Sequence, residues 1–178
     1  MIFNRNYIII LSLFGLLLLY SYYYFLKDNN NTLKLWGSIK GNFLKIYYLS
    51  MILSLFGIIL LFNYLLISDN FSENDILKIF VCILIVIIIS MVWAPLSLQY
   101  LKTIQNIQGK ESALIYKYII LVVLFLVSLF SFLLLISLYN INDNKYLFSK
   151  TLALIGMLYF FIHVFLFDFI LWSYNFFL

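Results

Sequence analysis

A chain of 178 residues with one cysteine, one proline, one histidine and only 10% charged residues lacks most of what soluble enzymes are assembled from. The single cysteine, Cys82, excludes an intramolecular disulfide and any cysteine-based metal cluster. It sits in an apolar run and reads as a small packed hydrophobe. One histidine excludes zinc sites built on several histidines. A Gly-rich phosphate loop, an HExxH helix, paired cysteines and a serine nucleophile elbow are all missing. The formal net charge of +4 is small and scattered, which excludes a nucleic-acid surface. No metal, cofactor or nucleic-acid partner is expected.

What the chain does have is apolar surface. Hydrophobic residues make up 66% of it, against roughly half in soluble domains. A water-soluble fold of this size could not bury so much. The length suits a single integral membrane domain over 1–178, with the bilayer as its first partner and itself or other membrane proteins as further candidates. Ile, Phe, Tyr, Asn and Lys abound, while Ala is reduced to Ala94, Ala113 and Ala153, a bias expected of an AT-rich genome. Runs of Asn or Tyr therefore carry little information. Pro95 and the tryptophans carry more.

A helix crossing the hydrocarbon core needs about 20 mainly apolar residues. Five segments qualify, at about 7–26, 46–67, 76–98, 113–139 and 151–173. They show no period-2 alternation, which argues against a membrane barrel. The predicted fold is all-α, a polytopic transmembrane bundle of about five helices. The first segment is too long for a signal peptide and lacks a small-residue cleavage site after Tyr20–Tyr24, so it reads as a retained helix.

Lysine and arginine in short loops set orientation. One side carries Lys27, Lys34, Lys40, Lys45, Lys102, Lys110 and Lys117; the other carries Arg5, Lys78, Lys145 and Lys150. Seven against four predicts the N-terminus outside and the C-terminus in the cytoplasm. Between the first two spans, over Lys27–Asn42, helical periodicity puts Leu35, Trp36, Ile39, Phe43 and Ile46 on one arc, with Lys34 and Lys45 on the opposite one. That pattern suits a short helix lying in the interface, with Trp36 in the apolar layer and Lys34, Lys40 and Lys45 at the headgroups. The plainer alternative is a lysine-bearing loop, and Gly37 and Gly41 weaken the helix.

Ionisable groups inside spans are costly in lipid and usually face the bundle interior. His163 and Asp168 are the two in span five. Five residues put them about 140° apart around an ideal α-helix, so each is expected to find its partner on another helix. By depth along their helices, Asp168, Lys117, Trp93, Gln99 and Trp172 converge on a polar pocket in the inner half of the bundle. Pro95 is expected to break the ladder of span three at the same level. The plainer readings are an Asp168–Lys117 structural ion pair, or a Lys117 that snorkels alone to the headgroups. His163 reads first as a hydrogen-bonded packing residue beside Tyr159, and second as a proton relay. Ser12 with Gly15, Ser50 and Ser54 with Gly57, and Ser128 with Ser131 mark helix contacts.

Three classes of function remain, in this order. The first is a noncatalytic structural, assembly or partner-binding membrane component. The second is a small transporter, channel subunit or lipid-binding bundle that uses the inner-half pocket around Asp168. The third is a membrane-embedded lipid-modifying enzyme with His163 or Asp168 as acid–base group; such chemistry needs several convergent polar groups, which the sequence does not offer.

Overall fold

The computed structural model describes residues 5–27, 34–105 and 110–177. They form α1 (Arg5–Leu26), α2 (Gly41–Ile67), α3 (Glu73–Ile104), α4 (Lys110–Asn140) and α5 (Leu147–Ile162). The last helix continues without interruption into a π-helical segment, His163–Trp172, and a final turn, α6 (Ser173–Phe176). Five helices are long and apolar enough to cross a membrane, the fifth being Leu147–Phe176. No strand occurs among the described residues, and the fold is the all-α bundle that the hydropathy predicts.

The helices outrun the apolar segments because polar flanks can also be helical where their ends are capped. At the start of α3, Ser72 Oγ accepts from the Asp75 N–H at 3.1 Å, and Asp75 Oδ2 accepts from the Ser72 N–H at 3.2 Å. This reciprocal box satisfies two otherwise orphaned donors.

The helices pack in the order α1 on α3, α3 on α4, α4 on the fifth span, and the fifth span on α2. In lipid no hydrophobic drive brings helices together, so small residues that permit close approach decide these contacts. Gly57 of α2 meets Gly156 of α5 backbone to backbone, and Ser50 and Ser54 are buried on the same helix. Ser128 and Ser131 are also buried, bonded to the Leu124 and Val127 carbonyls of their own helix. The expected notch on α1 is different. Ser12 is exposed, and nothing lies within 4 Å of where a Gly15 side chain would begin.

Pro95 does not break α3, which stays helical from end to end. Proline removes the N–H that would bond the carbonyl four residues earlier, here Met91. Ser21 of α1 donates to that carbonyl at 3.3 Å, and Tyr22 donates to the Ser90 carbonyl at 3.2 Å. A neighbouring span thus supplies what the proline takes away.

The interfacial helix is not formed as the periodicity suggests. Lys34 and Leu35 are helical, Trp36–Ser38 make a turn, and Lys40 is extended; residues 28–33 lie outside the described residues. Gly37 (φ +53°) and Gly41 (φ +60°) adopt left-handed conformations that break the arc in two. Leu35 and Ile39 turn into the bundle, while Phe43 and Ile46 face outward. Lys34, Lys40 and Lys45 are exposed. The segment is pinned to the end of span five: the Ser38 N–H donates to the Asn175 carbonyl at 3.1 Å and Ser38 Oγ to Asn175 Oδ1 at 2.5 Å.

Candidate functional site

His163 and Asp168 meet, contrary to the α-helical expectation. His163 Nε2 lies 3.7 Å from Asp168 Oδ1. The reason is the π segment between them, whose backbone bonds run from i to i+5 and bring residues five apart toward one face. Such segments are frequent at functional sites.

From this pair a chain of polar contacts leads into α2. Tyr47, almost fully buried, donates to Asp168 Oδ1. His163 Nδ1 sits 2.9 Å from Ser50 Oγ, and the Tyr159 hydroxyl donates to the same oxygen at 3.3 Å. The imidazole is held between Ser50 and Asp168, with the rings of Tyr47 and Phe167 each 5.6 Å away. Chemically the arrangement can hold a proton at Asp168 or His163. Ser50 is 2% exposed, which keeps it from a substrate carbonyl. Asp168 differs: 28% of its side-chain surface is accessible, against 7% for His163.

The three tryptophans gather nearby. Trp93 and Trp172 touch with ring centroids 5.2 Å apart, and Trp172 Nε1 donates to the Leu35 carbonyl at 2.9 Å. Trp36 packs edge-on against Tyr47 at 5.0 Å, and Tyr22 against Trp93 at 5.8 Å. Leu26, Leu35, Trp36, Trp93 and Trp172 enclose a cavity of about 30 Å³. Among the described residues the buried indole N–H of Trp93 has no partner. A larger groove of about 350 Å³ between α4 and α5, lined by Leu135, Tyr139 and Leu158 among others, is wholly apolar.

Of the five residues expected in one pocket, Trp93 and Trp172 are in contact, and Asp168 precedes Trp172 on the same π-helical segment. Lys117 is elsewhere. Its ammonium lies over the Phe177 ring, 5.1 Å from the centroid, so the Asp168–Lys117 ion pair does not form. Gln99 is exposed, and its carbonyl serves as acceptor for Thr103 Oγ1 at 2.6 Å. Depth along a helix matched these residues, but depth does not say which way a side chain points around it.

The sequence reading placed Ser50 only at a helix contact and missed Tyr47 and Tyr22 as site residues, hidden among 15 tyrosines. A second polar centre also went unnoticed. Asp143, in the connection between the fourth and fifth spans, is 2% exposed. Tyr64 and Ser68 of the α2 end donate to its Oδ2 at 3.0 and 2.6 Å, and the Tyr146 N–H to its Oδ1 at 3.2 Å. Its position three residues before Tyr146, at the entry to α5, is the one available signal.

Beside it, Lys145 and Asp69 form an exposed ion pair at 2.5 Å. The hydrogen bond from Lys145 holds the Asp69 carboxyl below the usual carboxylate range, and the same bond lifts the lysine. Among the described residues, no three His, Cys, Asp or Glu side chains gather as they would to hold a metal ion. Comparison with protein-family models, with curated proteins and with solved structures gives no match to this chain.

Proposed function

We propose that this multi-pass membrane protein is a noncatalytic structural, assembly or partner-binding component. One observation carries the reading: six polar side chains inside the bundle join one segment to another. Tyr47, Ser50 and Tyr159 tie α2 to the fifth span, Ser21 and Tyr22 tie α1 to α3, and Trp172 ties the loop after α1 to the fifth span. An enzyme would keep several such groups converging on an open site. Here they act as cross-braces. The face available to a partner is on α1, where Ser12 and Gly15 form the small-residue surface that lets a second helix approach closely. By the lysine count the N-terminus lies outside and the C-terminus in the cytoplasm.

A photoreactive residue at Gly15 tests this. In the native membrane it is expected to yield a discrete protein adduct, whereas one at Ile59, exposed on α2, yields lipid adducts. Lipid adducts alone from both positions would remove partner binding through α1.

A second reading, a binding or transport bundle using Asp168, is favoured by a separate observation. Asp168 keeps 28% of its side-chain surface accessible beside Tyr47 and His163. An ionisable side chain within a membrane span is by default a functional-site candidate.

A further inference from the structure

The groove between α4 and α5 is walled by Leu135, Ile136 and Tyr139 on one side and by Leu154, Ile155 and Leu158 on the other. At about 100° per residue, the three from α5 fall on the arc opposite Gly156, which meets α2. The groove therefore lies on the side of α5 away from that close approach. Its volume of about 350 Å³ falls in the range of ligand clefts, about 300–1,000 Å³. It is open to the bilayer, since Ile136, Tyr139, Ile155 and Leu158 are all exposed. About one turn deeper, Phe132 and Phe161 touch across the same two helices, with ring centroids 5.3 Å apart, and bound the groove on that side. Lys150 stands at the other end. It precedes Leu154 by one turn on the same face. Its ammonium donates to the Tyr139 carbonyl at 3.0 Å and to the Ile141 carbonyl. An ammonium has three donors, and among the described residues the third meets no acid. Asp69 is taken by Lys145, and Asp143 by Tyr64 and Ser68.

A wholly apolar wall holds a hydrocarbon chain by dispersion, and a lysine with a spare N–H takes an oxyanion. Lys150 lies where α4 ends and the polar connection to α5 has just been passed, which is headgroup level. Tyr139 beside it is an amphipathic ring of the kind that level favours. The first turn of α5 adds to the positive end, because its N-cap Tyr146 supplies no side-chain bond to the amides there. We propose that the groove holds one acyl chain of a phospholipid whose phosphate sits at Lys150. A bare hydrocarbon chain has no use for the lysine, and a free phosphate has no use for the groove; a phospholipid engages both. The site is separate from Asp168 and His163, and it adds a fixed lipid to a protein otherwise read as a partner-binding component.

The full chain, delipidated in a mild nonionic detergent, is titrated with dioleoyl phosphatidylglycerol or with dioleoylglycerol and followed by native mass spectrometry. A saturable one-to-one adduct is expected with the phospholipid. The diacylglycerol has the same chains and no phosphate, and is expected to bind about tenfold more weakly or worse. Ile155→Trp, at an exposed position, fills the groove and is expected to weaken the phospholipid adduct about tenfold, while Ile59→Trp on α2 leaves it unchanged. Lys150→Gln is expected to weaken the adduct about tenfold, and Lys150→Arg to retain it. Unsaturable binding of several phospholipids that Ile155→Trp does not alter means annular lipid only, and overturns the proposal. Equal binding of the diacylglycerol, or wild-type binding by Lys150→Gln, also overturns it. So does a lipid-free dimer that Ile155→Trp abolishes, which would make a second copy of the chain the occupant. If Lys150→Gln does not fold, Ile155→Trp and the diacylglycerol comparison decide. The crosslinking at Gly15 is unaffected by any of these results, so the two readings fail separately.

Discussion

Gly57 and Gly156 stand so close that a Cβ built on either would overlap the backbone of the other. The obstacle in each case is main chain, which cannot swing aside as a flexible side chain could. Gly57→Ala and Gly156→Ala are each expected to force α2 and the fifth span apart and to destabilise by roughly 1–3 kcal/mol. Gly15→Ala, with open space around it, is expected to be neutral or to stabilise by up to about 1 kcal/mol through helix propensity. Unfolding in mixed detergent micelles with rising SDS would rank the three variants. Equal effects at all three positions would mean that the close approach carries no weight.

The bond from Ser21 to the Met91 carbonyl exists because Pro95 leaves that carbonyl without its helical donor. In the wild-type background Ser21→Ala is expected to cost about 0.6 kcal/mol, the average for such interhelical bonds. In a Pro95→Ala background the helix supplies its own N–H, and the same substitution is expected to cost nearly nothing. A double-mutant cycle reads the difference directly. Additive effects would refute the compensation.

Asp143 holds three donors, two of them the buried hydroxyls of Tyr64 and Ser68. Asp143→Ala is expected to destabilise by about 3 kcal/mol, and Tyr64→Phe by about 1 kcal/mol, because the second change removes a donor and leaves the acid its other partners. Thermal unfolding of the purified variants in one detergent provides the comparison. A smaller loss in Asp143→Ala than in Tyr64→Phe would contradict the assigned network.

The Asp69–Lys145 pair should behave oppositely, because both partners are exposed. A carboxyl with a lowered folded pKa stabilises above its unfolded value and loses that contribution as pH falls through the lower folded one. A lysine with a raised value stabilises below its unfolded value and loses the contribution as pH rises through the folded one. The pair is thus expected to contribute evenly across neutral pH and to fade only below the usual carboxylate range or above the usual lysine range. Asp69→Asn is expected to leave the melting temperature at pH 7 in 150 mM salt unchanged within error. A clear drop that persists in high salt would show that exposure has not screened it.

Orientation is open to impermeant thiol labelling of single cysteines in a Cys82→Ala background. Asn74 and Asn144 are exposed at one end of the bundle, and Gln105 and Tyr174 at the other. Labelling in intact cells is expected at 74 and 144 only. Labelling at 105 and 174 only would invert the topology.

The five spans were legible because lipid imposes long apolar runs and the breaks between them are polar. The gathering of Trp93 and Trp172 was legible because a helix rises evenly, so sequence position translates into depth. The partner of Asp168 was not. The expectation of separate partners assumed α-helical spacing, and no residue in His163–Trp172 announces that the backbone will widen there. Lys117 failed for a different reason: a long flexible stem can end on an acid or on an aromatic face, and here it ends over the Phe177 ring. The loop after α1 failed because two glycines in left-handed conformation overrode the apolar periodicity around them. Asp143 looked solvated because loops usually are, yet this one folds back over the end of α2.

The double fastening of α2, through Tyr47 to Asp168 and through Tyr64 to Asp143, joins residues 121 and 79 positions apart in the chain. During synthesis α2 enters the bilayer long before either acid exists. Until then its hydroxyls face lipid or neighbouring helices without their final acceptors, and Gly57 has no backbone to meet. A chain stalled before α5 would therefore display an α2 whose Tyr47 and Ser50 hydroxyls lack their partners on the fifth span. The fifth span is thus the one that locks the second.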